Sequence, residues 1–234
     1  MKKMNKIKLV AISLLAFLAF SSCSSDELLS PEETSEELFK TYQLKRDING
    51  AYSLDINVED NVSIDKVKNS TNNTNEFHLS SSNSKVAQKS YYGSDLWFDN
   101  DNFRIEYITE NSNKTPSISV MDDNIRYNKK GDDELLKEYS ITKNEEGSYD
   151  LEFRVKNNTG VDFVYDSEND VYEVHLDPNV TSEGNNTYSR TFEKTDGEEL
   201  LQIHFVNHTG GSAKGEANVT ERRPVIIIDD GENG

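Results

Sequence analysis

Cys23 is the one cysteine in 234 residues, and its position limits the chemistry open to its sulfur. It follows an apolar run, Leu9–Phe20, and four of the first eight residues of the chain are lysines. At about 1.5 Å per residue this run is roughly 18 Å long as a helix, too short for the ~30 Å hydrocarbon core of a bilayer. A basic start, a short apolar run and small residues before the cysteine are typical of a secretion signal. We therefore predict that residues 1–22 are removed and that Cys23 becomes the N-terminus.

The sequence Phe20-Ser21-Ser22-Cys23 resembles a bacterial lipoprotein lipobox, with Phe20 where leucine is usual. The acidic stretch Ser24–Glu27 is similar to the export signal of surface lipoproteins of the Bacteroidota. The resemblance implies acylation of the Cys23 sulfur and amine, and a membrane anchor through these acyl chains in the outer membrane, at the extracellular face or alternatively the periplasmic face. Each buried methylene contributes about 0.8 kcal/mol, so two or three chains form a durable anchor. The alternative is an ordinary secretion signal with an unmodified cysteine.

The composition excludes some classes of partner. The chain has 25 basic and 43 acidic residues, a net charge of −18. Removal of the leader takes away four lysines and no acids, which makes the chain still more acidic. Such a surface repels phosphate backbones, so we predict no nucleic-acid partner. An acylated Cys23 also leaves no thiol for a disulfide or a zinc–cysteine site.

Carboxylates at alternate positions in two turn-like segments could bind calcium. Asp99 and Asp101 form one set, and Asp166, Glu168 and Asp170 form the other. Calcium takes six to eight oxygen ligands, and a tight acidic loop supplies several of them. Neither segment has the glycine that an EF-hand requires, and the alternative is a solvated hairpin turn. We predict no cofactor, with calcium at these turns as the alternative.

Two histidines, His204 and His208, would share one face of a continuous strand. With a nearby carboxylate they could bind zinc. However, His208 opens the turn-like stretch Asn207–Gly211, and a surface histidine is the interpretation that we favour.

The densest aromatic cluster comprises Tyr91, Tyr92, Trp97 and Phe98. A flat aromatic surface of Tyr91, Tyr92 and Trp97 could stack on a sugar ring. The strand alternation would instead turn Trp97 and Phe98 to opposite faces and bury at least one of them, so core packing is the favoured alternative.

The sequence contains no nucleophile elbow, zinc-protease helix, phosphate loop or dinucleotide fingerprint. We therefore predict a non-enzymatic binding, adhesion or accessory module with a protein or glycan ligand. One alternative is a hydrolase that acts on glycans or peptides with loop carboxylates as acid and base. Another is a scaffold that faces the periplasm.

The elements that position these residues are predicted to be short strands. From residue 47 onward, apolar and polar residues alternate in runs such as Tyr52–Val58 and Tyr149–Val155, separated by turn-forming clusters. This pattern predicts an all-β fold, an antiparallel sandwich or barrel. Residues 23–46 are predicted to be an acidic tether with a short helix, in which Leu38, Phe39 and Tyr42 would share one face.

Self-comparison indicates an internal repeat. Gly50–Asn61 aligns with Gly147–Asn158 at an offset of 97 residues. Asp95–Asn102 also resembles Asp162–Asn169. A third match relates residues 133–141 to 198–206, and a chance match within an Asn- and Asp-rich chain is the alternative.

The repeat implies a division of the chain into two β-units. The first would be 47–143, with a Ser- and Asn-rich insertion at 68–88. The second would be 144–228, followed by an acidic tail at 229–234. The units could be tandem domains or pseudo-symmetric halves of one sandwich.

Overall fold

The described residues of the computed structural model form β-strands, along most of which buried and more exposed residues alternate. These residues are 38–82, 88–99, 101–110, 112–113, 115–122, 135–178, 186–193, 200–209 and 219–231. The strands are β1 Phe39–Arg46, β2 Tyr52–Val58, β3 Val62–Asn69, β4 Thr74–Ser81, β5 Gln88–Tyr92, β6 Asn102–Thr109, β7 Ser117–Met121, β8 Leu136–Lys143, β9 Tyr149–Val155, β10 Gly160–Asp166, β11 Val171–Asp177, β12 Thr187–Phe192, β13 Leu200–Thr209 and β14 Val219–Asp229. In β2 each even-numbered residue is buried, as the alternation predicts.

The strands form two sheets that pack as a sandwich. The six-stranded sheet has the order β12-β9-β8-β1-β2-β5, and the eight-stranded sheet has the order β10-β11-β13-β14-β7-β6-β4-β3. Aromatic residues fill the space between the sheets, where Tyr42 lies 5.7 Å from Tyr107 and Tyr139 lies 5.7 Å from Phe205 between ring centroids. The all-β prediction is confirmed, and the fold is a sandwich rather than a barrel. The β4–β6 and β11–β13 pairs are parallel, which the sequence pattern did not indicate.

The predicted tether is wrong for its last eight residues, because Phe39–Arg46 form β1. This strand lies inside the six-stranded sheet between β2 and β8. A β-bulge between Phe39 and Thr41 shifts the alternation, so that Phe39, Tyr42 and Leu44 are all buried. The resulting spacing of three residues imitates a helix in the sequence. No helix that could span a membrane occurs among the described residues.

The strand order contains an internal twofold relation. In the six-stranded sheet, β1-β2-β5 runs outward from the centre on one side and β8-β9-β12 on the other. In the eight-stranded sheet, the two series are β7-β6-β4-β3 and β14-β13-β11-β10. Each strand of the second half thus takes the place of the strand numbered seven lower in the first half. The two halves meet where β1 pairs with β8 and where β7 pairs with β14. All described residues belong to a single compact unit, Glu33–Gly234, so the halves share one sandwich.

The registers of the first hairpin in each half agree at the offset of 97 residues. Leu44 pairs with Leu54 in one half, and Ile141 pairs with Leu151 in the other. The bulge at Phe39/Thr41 recurs at Leu136/Glu138.

Backbone angles follow the same offset. Gly50 and Gly147 have φ values of 79° and 86°, Asn61 and Asn158 have 68° and 62°, and Asn73 and Asp170 have 55° and 54°. Left-handed residues of this kind are uncommon outside glycine, so their recurrence at one spacing is strong evidence that the halves are copies of one design.

This symmetry divides the chain differently from the predicted units. The halves separate after β7, so β1 belongs to the first half and β8 to the second. Of the three sequence matches, the Gly50–Asn61 match joins equivalent strands, β2 and β9. The others do not: Asp162–Asn169 lies in β10 and its turn, whereas the described part of its match connects β5 to β6. Residues 135–141 lead into β8, the equivalent of β1, whereas residues 200–206 of their match lie in β13, the equivalent of β6. Residues 74–81 within the predicted insertion form β4.

Replacing Gln43 with proline tests the position of β1. Gln43 lies opposite Asp55 on one side and Thr142 on the other, so a strand flanks it at both edges. Proline would remove a ladder hydrogen bond from an interior strand, and we expect a loss of roughly 3 kcal/mol or more in the free energy of unfolding. Gln43→Ala is the control, because it removes only the side-chain bond to Thr142, a loss of about 1 kcal/mol. Equal urea midpoints for the two variants would contradict the strand assignment.

Candidate functional site

Cys23, the predicted lipidation site, lies outside the described residues, as do residues 1–37 as a whole. The other predicted site residues are among the described residues.

The carboxylates of the first predicted calcium turn contact other parts of the protein. Asp99 Oδ2 accepts a hydrogen bond from the side-chain amide of Asn73 at 3.3 Å. Asp101 Oδ2 accepts a bond of 2.8 Å from Arg223 Nη1, on β14. The two carboxylates therefore stabilise the connection between β5 and β6.

The second predicted calcium turn is built by Asp166. Its Oδ1 accepts the backbone N–H groups of Glu168 and Asn169 at 3.1 and 3.4 Å. Asp170 Oδ1 accepts a bond of 2.7 Å from the Tyr165 hydroxyl. These bonds are typical of an Asx turn that closes a hairpin.

The equivalent of the Asp166 turn in the first half is the Asn69 turn, which closes the β3–β4 hairpin. Asn69 Oδ1 likewise accepts the N–H groups two and three residues later, at 3.0 and 3.3 Å. The predicted recurrence of the Asp99 and Asp166 turns is therefore wrong. In the part of the chain that the structure describes, no group of three or more His, Cys, Asp or Glu side chains is arranged to hold a metal ion. Calcium binding stays a prediction.

The predicted aromatic surface does not form one platform. Tyr91 is buried, with its ring 4.7 Å from that of Phe77, whereas Tyr92 is exposed. Trp97 is half-buried, and the Lys68 ammonium lies 4.4 Å from the centre of its ring. Neighbouring residues of β5 point to opposite faces of the sheet, which separates Tyr91 from Tyr92.

A different aromatic cluster lies at the flank of the sandwich where β10 and β12 are edge strands. The Arg190 guanidinium lies 5.0 Å from the ring centre of Phe163 and 5.7 Å from that of Tyr172. Tyr165, which is 47% exposed, lies 4.8 Å from Tyr172 between ring centroids. We call Tyr165, Tyr172 and Arg190 the flank cluster. Sequence reasoning missed it because Tyr165 and Tyr172 lie in one sheet and Arg190 in the other, so the contact depends on how the two sheets pack.

Two buried charge clusters occupy equivalent places in the halves. In the first cluster, Asp122 Oδ2 accepts bonds of 2.8 Å from Arg46 Nε and from the Tyr52 hydroxyl. The Tyr139 hydroxyl lies 2.8 Å from that of Tyr52. Arg46 and Asp122 are 2% and 0% exposed, so solvent does not screen their attraction.

The second cluster repeats this arrangement. The Tyr149 hydroxyl donates to Asp230 Oδ1, and Lys143 Nζ lies 3.9 Å from the same oxygen. Tyr42, which corresponds to Tyr139, lies against Tyr149 with 6.4 Å between ring centroids. The first cluster thus includes Tyr139 from the second half, and the second cluster includes Tyr42 from the first half. Both clusters therefore contribute contacts between the two halves.

The tyrosines of these clusters have strongly perturbed acidity. Burial raises the pKa of Tyr52 and Tyr139 well above the ordinary value, and the nearby Asp122 carboxylate raises both further. Burial and Asp230 do the same to the pKa of Tyr149. The phenols are therefore neutral hydrogen-bonding groups at neutral pH. Because they are sealed in the core, their role is structural.

A histidine cluster lies on the outer face of the eight-stranded sheet. His175 Nε2 lies 2.9 Å from Glu173 Oε2, and His175 Nδ1 lies 2.7 Å from His208 Nε2. The ring centroids lie 5.0 Å apart, so the two rings meet end to end through the bonded nitrogens. Sequence reasoning paired His208 with His204. The structure brings His208 to His175 instead, because the parallel β11–β13 pairing places these strands side by side.

Half of the histidine cluster recurs in the first half. His78 Nε2 lies 2.9 Å from Glu76 Oε2 on β4, at the offset of 97 residues from His175 and Glu173. His175 lies opposite Val206, and His208 is two residues further along β13. The same step from Ile108, which lies opposite His78, reaches Glu110, so the counterpart of His208 is not a histidine.

Comparison with known proteins gives no match: no family model fits the chain, and neither the curated proteins nor the solved structures show significant similarity. The fold and its surfaces are therefore the basis for a functional hypothesis.

Proposed function

We propose that this chain is a non-enzymatic, lipid-anchored binding module of the outer membrane, exposed at the cell surface, that contacts a glycan or protein ligand. The sequence around Cys23 supports the anchor, and the flank cluster supports the contact. The flank cluster is the observation that carries the binding role, because it combines exposed aromatic surface with a cation on a rigid sandwich.

The chain between the proposed anchor at Cys23 and the sandwich is long enough to hold the sandwich away from the membrane surface. Cys23 precedes the first residue of β1, Phe39, by 16 residues. A chain extends by at most about 3.5 Å per residue, so the link spans up to roughly 55 Å. That reach exceeds the thickness of a bilayer leaflet and allows a surface module to stand clear of the lipid.

The distribution of perturbed acid groups favours binding over catalysis. Catalytic groups with shifted pKa values usually lie in clefts that admit a substrate. Here the most strongly shifted groups are Tyr42, Tyr52, Tyr107, Tyr139 and Tyr149, and all five are buried. They stabilise the interior of a rigid body, on which a surface such as the flank cluster can be presented at little cost in conformational entropy.

The flank cluster has the chemistry for contact with a sugar or a peptide. Tyrosine and arginine are the residue types most enriched at binding hot spots. The exposed face of Tyr165 can stack on the C–H face of a sugar or on an apolar side chain. The half-buried Arg190 lies over the ring of Tyr172, which in turn contacts Tyr165, so the cluster adds a cation to the aromatic surface.

Location is tested on intact cells. We expect protease added to whole cells to cleave the protein, and mass spectrometry of the natively produced chain to show an acylated Cys23 at its N-terminus. Cells that produce a Cys23→Ala variant should lose the membrane-bound form. Protection from protease in intact cells, together with cleavage in lysed cells, would contradict surface exposure and place the module on the periplasmic side.

Binding is tested at Tyr165. We expect retardation of the protein by at least one polysaccharide in native affinity gels, and we expect Tyr165→Ala to weaken it about tenfold, equivalent to about 1.4 kcal/mol, since an exposed aromatic contributes on this scale. Tyr92→Ala is the matched control, because Tyr92 is 62% exposed and lies on β5, the counterpart of β12. Equal losses in the two variants, or no retardation by any polysaccharide, would contradict glycan binding at the flank cluster.

A further inference from the structure

The histidine cluster on β11 and β13 brings two imidazole nitrogens within reach of one metal ion. We propose that His175 Nδ1 and His208 Nε2 together bind one divalent transition-metal ion of the copper class, with Glu173 as the positioning residue. This site is independent of the flank cluster and of the proposed anchor.

Glu173 determines which nitrogen of His175 is free for a metal. A carboxylate accepts hydrogen bonds, so the 2.9 Å contact between Glu173 Oε2 and His175 Nε2 requires a proton on Nε2. Neutral His175 then carries its lone pair on Nδ1, which faces His208. A carboxylate bonded to the distal nitrogen of a ligating histidine is the usual outer-shell arrangement in metal sites, where it fixes both the tautomer and the ring orientation.

His208 completes the pair without any rearrangement of the strands. Its Nε2 lies 2.7 Å from His175 Nδ1. Without a metal, His208 donates its Nε2 proton to His175. When a metal binds, the proton of neutral His208 moves to Nδ1 through solvent and the Nε2 lone pair turns to the ion. No net charge is left on either imidazole.

The separation of the nitrogens favours one class of metal. With metal–nitrogen bonds of about 2.0 Å, two ligands at the 90° of a square-planar site lie roughly 2.9 Å apart, and at the tetrahedral angle roughly 3.3 Å apart. The nitrogens at 2.7 Å must open by about 0.2 Å for the first geometry and by about 0.6 Å for the second. Both side chains must also turn, because in the hydrogen-bonded pair each nitrogen points along the N···N axis, whereas a shared metal lies roughly 45° off it. Square-planar or tetragonal coordination is typical of Cu²⁺ and Ni²⁺, and Cu²⁺ binds nitrogen ligands more tightly. Water supplies the other positions, since two imidazoles are the protein ligands.

Burial adds to the case for a built site. The side chains of His175 and Glu173 are only 26% and 10% exposed, so the carboxylate–imidazole bond is partly shielded from water. The net charge of the chain, −18, also concentrates cations at its surface.

The first half of the sandwich supplies an internal control. Glu76 and His78 repeat the carboxylate–imidazole pair at the same distance, but the position that corresponds to His208 is Glu110. A general affinity of surface histidines for copper would involve His78 as much as His175. A two-histidine site requires His175 and His208 alone.

The test is a titration of the natively produced full chain in detergent with Cu²⁺, followed by calorimetry and electron paramagnetic resonance. We expect one tight equivalent of Cu²⁺ with a spectrum that shows two coupled nitrogens, and we expect Ca²⁺ not to compete for it. His175→Asn or His208→Asn should weaken this equivalent at least thirtyfold, and His78→Asn should leave it unchanged. Glu173→Gln should weaken binding about tenfold while the two-nitrogen spectrum persists, as expected of a positioning residue.

Three results would overturn the proposal: absence of a tight equivalent in the wild-type protein, a spectrum with fewer than two nitrogens, or an equal loss in His78→Asn and His175→Asn. A second measurement needs no variant and so does not depend on how the variants fold. Substoichiometric Cu²⁺ should broaden the imidazole NMR signals of His175 and His208 before that of His78. Uniform broadening of all three would contradict a specific site.

Discussion

Asp122→Asn is expected to destabilise the protein by about 3–5 kcal/mol, because it removes a carboxylate that is ion-paired with the buried Arg46 guanidinium. Arg46 and Asp122 are almost fully buried, and 2.8 Å separates their bonded atoms. The total stability of a domain is about 5–15 kcal/mol, so the replacement of this single carboxylate by an amide removes a large share of it. Urea unfolding at neutral pH measures the effect.

The double variant Arg46→Met/Asp122→Asn identifies the cause. Removing the cation together with the anion eliminates the uncompensated charge, so the double variant should recover much of the lost stability. Asp230→Asn should cost less, about 1–3 kcal/mol, because Lys143 Nζ lies 3.9 Å from its carboxylate and the main bond there is to Tyr149. A loss below about 1 kcal/mol for Asp122→Asn, or a double variant no more stable than the single one, would show that the pair does not stabilise the core.

The largest effect is expected from alkaline pH. Burial raises the pKa of five tyrosines, Tyr42, Tyr52, Tyr107, Tyr139 and Tyr149, well above the ordinary value of 10.0. In the unfolded chain these phenols ionise near pH 10, whereas in the folded protein they keep their protons. The folded state therefore binds more protons than the unfolded state, and stability is complete below about pH 10 and falls as pH rises above it.

The magnitude follows from linkage. At pH 11 each such tyrosine lowers the free energy of unfolding by about 1.4 kcal/mol, so five lower it by about 7 kcal/mol. Urea unfolding at intervals from pH 8 to pH 11 measures the fall, and tyrosinate absorbance reports ionisation in the folded state.

Two variants that each remove one tyrosine hydroxyl distinguish the contribution of the buried phenols from that of other groups that titrate in this range. Tyr107→Phe should reduce the alkaline fall by about one fifth, since it removes one of the five groups. Tyr92→Phe, at an exposed position, should leave the fall unchanged. Absorbance that shows all tyrosines ionising near pH 10 in the folded protein would contradict the burial on which the prediction rests.

The alternation of apolar and polar residues made β2 and β9, the second strand of the first hairpin in each half, predictable. Tyr52–Val58 and Tyr149–Val155 alternate without interruption, and a strand with one buried face needs no more than that. Phe39–Arg46 was misread because the bulge at Phe39/Thr41 interrupts the alternation, and a bulge depends on the partner strand β2.

The internal repeat, too, is only partly visible in the sequence. Its offset of 97 residues is visible in the sequence where glycine, tyrosine, leucine and valine are identical in the two hairpins. Elsewhere the halves have diverged in side chains and keep only backbone features, such as the left-handed Asn73 and Asp170. Matches in residue type alone therefore aligned strands that are not equivalent.

The sequence by itself determined the all-β class, the strongly acidic surface and the local strands, because these depend on composition and on neighbours along the chain. It also predicts the lipid anchor at Cys23. Only the tertiary structure decided that Arg46 meets Asp122, that His175 meets His208, and that Tyr165 and Tyr172 lie together with Arg190. These pairs are separated by 76, 33 and up to 25 residues, and what brings them together is strand order. Alternation specifies which face of a strand is buried, but it does not specify which strands are neighbours.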